Sequence, residues 1–595
     1  MTQKIAIIHG IFILDGDFEP CSFDVLIDNG RIAAVGSELQ IPSDAKIIDA
    51  KGMIVMPGGV DPHVHLHYPQ GSEQIFSADD WRSGSVAAAM GGTTTILDFI
   101  EPKNETLLEA MKKRNDEAKA GSIIDYSFHM SIIDTNQQTL DDIPKVVAEG
   151  ITSFKIYTAY DGIRLNYGQL PSAFGSVARA GGLSIVHSED HATIMQKIKE
   201  CKDKGYWNCI HHPHCHPSEG EIFSNKRLIE AALFVAKTIH PNRIMHLHIV
   251  HVTTSEGAQL IRNARDGNIV SESNKEITQT EEKEQDQNKI KLDITGEVCT
   301  HHIVLSDECY KGIYIEEQIQ GDEKEKKTLK EIAHPSAFIL SPPLRSPHEI
   351  DMLLQEVERQ DSGLPFLTSD HCAFTHLQRM GQRRHPEIAV DEKGKRVSGI
   401  EEHAPWWTEE RLKKEIEQFE KQSIEQKQNS SSLQIPTDHP TYPDILIDKH
   451  TNLPKSSLPS IPPPFYMMPG GGSGIEPRIS LAYNLLVVER GWTLRRFVDF
   501  VSTAAAKRYG LYPRKGTLKV GSDADVLIFD PNARLILSKD NSFMVSDQHP
   551  YEGRCVIGVP NVVIVKGMIL RDKIGGPCLS FEPRGELLRR QPFHS

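Results

Sequence analysis

Eight short and nearly unbroken apolar runs, separated by stretches long enough for helices, constrain the fold more than any other feature of this chain. They are MIVMPGGVD (53–61), TTTILDF (93–99), IDYSFHMSI (124–132), ITSFKIYTAY (151–160), LSIVHSED (183–190), IMHLHIVHV (244–252), DITGEVC (293–299) and PFLTSD (365–370). Apolar residues at successive rather than alternate positions suit strands buried on both faces, which occur in parallel sheets covered by helices. Eight β/α units predict an α/β fold, a (β/α)8 TIM barrel, whose chemistry sits at the C-terminal ends of its strands. At 595 residues the chain has room for a further unit.

The two ends read differently. DVLIDNGRIAAVG (24–36) is a pair of alternating runs around Asn29-Gly30, a dipeptide suited to a tight hairpin. GTLKVGSDADVLIFDP (516–531) and NVVIVKGMILRD (561–572), the latter turning at Lys566-Gly567, repeat the pattern. Neither end has enough strands to bury a core alone, so the two are expected to pair into one small β-sandwich. The expected organisation is sandwich at 1–57, barrel at 58–511, sandwich again at 512–575 and a tail at 576–595. Two segments interrupt the barrel: a charged loop at 273–292, and 378–464, where Leu412, Ile416 and Phe419 form one helical stripe before a Ser/Pro-rich tract.

A net charge of −15 spread along the chain argues against nucleic-acid and anionic-membrane partners. No run reaches membrane-spanning length, and the N-terminus lacks the basic and small-residue features of a signal peptide, so the expected compartment is the cytoplasm. Nine cysteines without framework spacing fit free thiols.

GGVDPHVHLH (58–67) places histidines at alternating positions after the first run. In a strand, His63 and His65 project to the same side and can share an ion. Lys155, His187, His251 and Asp370 also fall at predicted strand ends, so one ring of strand ends collects them all. His246, His248 and His251 lie in one run, and spacing alone does not choose among them. Neutral imidazoles and a carboxylate suit zinc or another borderline divalent ion, whereas an ammonium is a poor ligand. Lysine fits the set if carbon dioxide converts it to a carbamate.

In this order and spacing, GGVDPHVHLHYP, SFKIYTAYDG, IVHSED, IVHVTT, GEVCTHH, SPPLR, SDHCAF and AKRYGLYPRKGTLKVGSDADVLIFDP resemble the cyclic amidohydrolases, specifically dihydropyrimidinases and hydantoinases. The resemblance spans nearly the whole chain outside the two interruptions and the tail. It implies ring opening of dihydropyrimidines or hydantoins by two divalent ions per chain, with zinc expected. It implies His63, His65, Asp370 and carboxylated Lys155 (N6-carboxylysine) around the first ion, and His187, His251 and the same carbamate around the second. Asp370 is then the proton carrier and Tyr160 the donor to the developing oxyanion. Ser341 and Gly470 match substrate-binding positions, although the family usually has asparagine where Gly470 stands. Tyr157, Tyr68 and Phe76 resemble the aromatic lining.

The same resemblance places HHPHCHP (211–217) away from the metal pair, so it is not expected to bind an ion. His301 and His302 are expected to support the site from behind or to be structural, and His371 and Cys372 to point elsewhere and pack. His67 stands where dihydroorotases carry arginine. An allantoinase-type hydrolase of another cyclic ureide is the alternative enzyme. A non-catalytic scaffold relative is disfavoured because all six ligand positions are filled. A homotetramer is implied, with the tail reaching a neighbour.

Overall fold

The computed structural model describes residues 3–70, 75–204, 206, 208–239, 244–268, 292–319, 326–379, 447–448, 453–454 and 465–593. Its centre is a parallel sheet of seven strands in chain order: β1 (Gly59–Val64), β2 (Thr93–Ile100), β3 (Asp125–Ser131), β4 (Ser153–Tyr157), β5 (Leu183–His187), β6 (His246–Ile249) and β7 (Asp293–Gly296). Every residue of β2 and β3 is buried, as expected of strands covered on both faces. The eighth place is taken by β8 (Leu367–Thr368), which pairs with Val298–Cys299, the continuation of β7 past Glu297. Beyond β8 the chain reaches β1 through the bridge Val64↔His371 and the bond from His65 N to His371 O at 2.7 Å, closing the ring.

Helices pack outside the strands, and their starts are written locally. Asp80 and Ser83 form a reciprocal cap on Trp81–Met90, as Thr106 and Glu109 do on Leu107–Gly121.

Two predicted runs divide in the structure. MIVMPGGVD breaks at Gly58 into Ile54–Pro57, which belongs to a terminal sheet, and β1. A Cβ on Gly58 would lie 2.2 Å from Thr94 Oγ1, so only glycine permits this close passage. DITGEVC breaks at Glu297, where the sheet changes partner from β6 to β8.

The ends form two sheets. One contains the N-terminal strands Ile5–Ile8, Asp24–Asp28, Arg31–Gly36 and Lys46–Asp49; the other orders Ile11–Phe12, Ile54–Pro57, Val526–Ile536, Cys555–Val565 and Met568–Arg571. Ile5, Ile7, Val25, Ile27, Val526, Ile528 and Ile564 share one core between them. Both hairpin dipeptides have positive φ, 50° and 75° at Asn29-Gly30 and 46° and 73° at Lys566-Gly567.

The tail covers the base of its own barrel. Leu588 N bonds Tyr126 O at 2.7 Å, Phe593 N bonds Gly181 O at 2.8 Å, and buried Arg590 donates to Ser153 Oγ at 2.9 Å and to Phe128 O. Open backbone groups at the N-terminal ends of the strands supply these partners. The stripe Leu412/Ile416/Phe419 and the charged loop, Leu292 apart, lie outside the described residues.

A buried ion cluster joins the C-terminal segment to the barrel: Lys515 Nζ lies 2.7 Å from Asp125, 3.0 Å from Asp523 and 2.6 Å from Asp525. Lys566 still reaches Asp125 in Lys515→Met, and Arg31 and Arg514 still reach Asp523, each at 2.8 Å, but buried Asp525 loses its ion pair; loss of one partner from a buried pair costs about 3–5 kcal/mol. Denaturant unfolding is expected to show a loss of that size, and a change below about 1 kcal/mol would show that the cluster does not secure the interface.

Candidate metal centre

The C-terminal rim of the barrel opens into a cavity of about 870 Å³ lined by His63, His65, Lys155, Tyr157, Tyr160, His187, His251, Ser341, Asp370 and Gly470. The six expected metal ligands and the expected substrate contacts Tyr157, Tyr160, Ser341 and Gly470 therefore face one space. β1 delivers His63 and, just past its end, His65. Their Nε2 atoms lie 3.1 and 3.3 Å from the same Asp370 oxygen, and the three side chains form one compact ligand group. β5 ends on His187, whose Nδ1 is 2.8 Å from Nε2 of His251 beyond β6. The rings of His63 and His251, with centroids 5.6 Å apart, link the two groups. His246 lies at the opposite end of β6 against Asp293, and His248 bonds Glu297, so the strand itself selects His251.

Lys155 is buried in β4, with Nζ 4.9 Å from the ring centre of Phe99 and 5.0 Å from that of Tyr157. Burial lowers its pKa to about 8, against the opposing pull of Asp370 and Glu297.

Two buried carboxylates orient the imidazoles. Glu297 accepts from His63 Nδ1 at 2.5 Å and from His248 Nε2 at 3.0 Å. Glu189 accepts from His187 Nε2 and His216 Nδ1, each at 2.8 Å. Burial opposes the charge on both carboxylates, but the imidazoles hold each well below the ordinary carboxylate range. An ionised carboxylate only accepts, so His63 carries its proton on Nδ1 and His187 on Nε2. Their remaining nitrogens turn to the other candidate ligands, His63 Nε2 to Asp370 at 3.1 Å and His187 Nδ1 to His251 at 2.8 Å. Burial lowers the pKa of His65 to about 4 and depresses those of His187 and His251, which favours neutral donors. Nitrogen and oxygen donors of this kind, held from behind by carboxylates, fit borderline divalent metals.

The backbone is strained at the same places. His251, Asp370 and Tyr160 have φ of 37°, 45° and 77°, where side chains are rarely tolerated. The Asp370 carboxyl is held well below its usual range: burial raises it, but His63, His65 and His251 outweigh that effect. The hydroxyl of Tyr160 donates to Glu189 at 3.2 Å, and burial with the adjacent Glu189 raises its pKa well above normal.

Other expectations divide. His371 bonds Asp79 at 3.1 Å, as a packing role requires, but Cys372 lines the cavity. HHPHCHP is not remote from the site: His212 and His216 line the same cavity, and His216 bonds the carboxylate that orients His187. Its side chains are otherwise committed, His212 to Leu340 O at 2.6 Å and Cys215 to Cys201 at 3.4 Å. Tyr68 lines the cavity, whereas Phe76 stacks on His67 at 4.4 Å. The carbonyl of Gly470 accepts from Gln70 Nε2 at 2.9 Å. Glu189 and Glu297 were not anticipated. The signal for each was a carboxylate inside or directly after an apolar run, where burial demands a partner.

The chain matches the Amidohydrolase family over residues 54–307 and 347–570. A D-hydantoinase of Geobacillus stearothermophilus is 29% identical over 93% of this chain and 91% of its own length. A D-phenylhydantoinase of Escherichia coli is 27% identical over 99% of both chains. A crystal structure of D-hydantoinase superposes with a TM-score of 0.74 at 27% identity over 100% of both chains, and a dihydropyrimidinase from Brevibacillus agri with 0.73 at 25% over 100% of both.

Glu297→Gln keeps the shape of the support but removes the charge that fixes the His63 tautomer. Affinity for a divalent metal, measured by chelator competition, is expected to fall by about 10–100-fold. Unchanged affinity would deny Glu297 an orienting role.

Proposed function

Because this chain belongs to the amidohydrolase family, we propose that it hydrolyses cyclic amides, opening 5,6-dihydropyrimidines such as dihydrouracil (to N-carbamoyl-β-alanine) and hydantoins. One observation carries the reading: His63, His65, Lys155, His187, His251 and Asp370 face one cavity at a barrel rim, with His63 and His187 oriented by buried carboxylates. His63, His65 and Asp370 hold one divalent ion and His187 and His251 the other, with zinc the best match to these donors. Two such ions supply a water made acidic near neutral pH and polarise the amide carbonyl.

Lys155 joins both groups as N6-carboxylysine. Its neutral amine attacks carbon dioxide, a nitrogen–carbon bond forms and one proton leaves; burial favours that neutral amine. Asp370, beside the imidazoles of His63 and His65, takes the proton of the attacking water and passes it to the departing ring nitrogen. Tyr160 exchanges its bond to Glu189 for the substrate oxygen and stabilises the negative charge that develops there. Ser341, Tyr157 and Gly470 bind the ring. The Gly470 carbonyl has a second lone pair beyond the one Gln70 uses. A homotetramer in the cytoplasm completes the proposal and rests on the family resemblance. Among the described residues no helix is long and apolar enough to cross a membrane.

Metal-replete protein supplied with bicarbonate is expected to turn over at least one of dihydrouracil, dihydrothymine and 5-phenylhydantoin faster than allantoin. Two bound ions with no turnover of any of them would refute the reading, and preference for allantoin would favour an allantoinase-type activity. Tyr160→Phe is expected to lower kcat by about 10²–10³-fold while both ions stay bound. Full activity in that variant would remove Tyr160 from the chemistry.

A further inference from the structure

A second cluster of metal-binding side chains lies where β7 continues beside β8. Cys299, His301 and His302 are buried, and one donor atom from each lies within 4.8 Å of the others. His302 donates through Nε2 to Pro342 O at 2.9 Å, which leaves its lone pair on Nδ1. His301 bonds the backbone of Ser369, and its Nε2 is the nitrogen left over. Both leftover nitrogens are buried and have no hydrogen-bond partner among the described residues. The ring centroids are 4.1 Å apart, and Cys299 Sγ touches Thr368 Oγ1 at 3.3 Å.

Buried acceptors without donors are destabilising. An imidazole whose far nitrogen is fixed by a backbone carbonyl is the usual form of a metal ligand. One sulfur and two nitrogens exclude magnesium and calcium, which take oxygen donors, and suit zinc or softer ions. Burial, and after it the negative charges of Asp370 and Glu297, push the Cys299 thiol well above its usual range; those same charges favour a cation at the cluster, which must displace the thiol proton to bind sulfur.

We propose that Cys299, His301 and His302 form a structural site for one zinc-class ion, separate from the pair at the rim. On binding, a sulfur–metal bond forms and the thiol proton leaves to solvent. The ion ties the continuation of β7, through His301, to the backbone of Ser369, the residue before Asp370. It thereby fixes the end of β8 that carries the carboxylate, a positioning role rather than a catalytic one.

Zinc-loaded full-length protein is expected to hold one more ion per chain than Cys299→Ser, as measured by elemental analysis. After exchange with cadmium, the wild type is expected to show a thiolate-to-cadmium ultraviolet band that Cys299→Ser lacks. Cys201→Ser, which alters the thiol pair 3.4 Å apart at Cys201 and Cys215, is expected to retain it. The six ligands proposed at the rim offer nitrogen and oxygen donors and give no such band, and Cys372→Ser, which removes the thiol lining that cavity, is expected to retain it, so this proposal and the hydrolytic one fail separately. Equal ion counts and equal spectra for wild type and Cys299→Ser would mean that water fills the cluster, overturning the proposal. If Cys299→Ser does not fold, His302→Gln carries the same comparison with the same deciding outcomes.

Discussion

Buried imidazoles depend on a partner for each nitrogen, and that requirement organises the rim. His63 and His187 meet it in the same way: one nitrogen donates to a buried carboxylate and the other meets a fellow rim residue, Asp370 for His63 and His251 for His187. Each carboxylate serves two imidazoles, Glu297 holding His248 as well and Glu189 holding His216. Neither acid is an isolated charge, and neither ring is free to choose its tautomer. The direction of the lone pairs follows from the proton count, before any ligand is considered.

Barrel polarity separates this chemistry from the stabilising contacts. At the base, the tail lays Leu588 and Arg590 over the starts of β3 and β4, and Lys515 bridges Asp125, Asp523 and Asp525. At the opposite rim the strands end on donors that face a cavity. His246 and His251 show the contrast within a single run: the first pairs with Asp293 at the base, the second with His187 at the rim.

Most of the ring was legible because His63, His65, His187, His251 and Asp370 fall near or just past the ends of apolar runs, which converge on one rim in a parallel barrel, whereas Lys155 stands in the middle of its strand. The hairpins were legible because Asn29-Gly30 and Lys566-Gly567 need positive φ. Run boundaries were less so: nothing in the hydrophobicity of MIVMPGGVD marks the change of sheet at Gly58, which depends on the approach of Thr94. Contacts between distant segments left no local trace. The nearness of His216 to Glu189, 27 positions earlier in the chain, and the docking of the tail on the barrel base both arise from tertiary packing. Glu297 was hidden for a different reason, since a carboxylate among apolar residues breaks the pattern that identifies the strand.

The strained φ values at His251, Asp370 and Tyr160 fit the same logic. Each costs of order 1–3 kcal/mol, so it persists only where neighbouring contacts over-determine the backbone. Asp370 is held from both sides: the Ser369 amide bonds Asp61, and the carbonyl of His371 accepts from His65. Asp61 is in turn paired with buried Arg478 at 3.5 Å, and Arg478 reaches the carbonyl of Leu367 at 2.9 Å. The bonds that close the barrel between its last strand and its first are therefore the bonds that hold Asp370 in its unfavourable conformation. Barrel closure and the placement of the candidate proton carrier are one structural requirement.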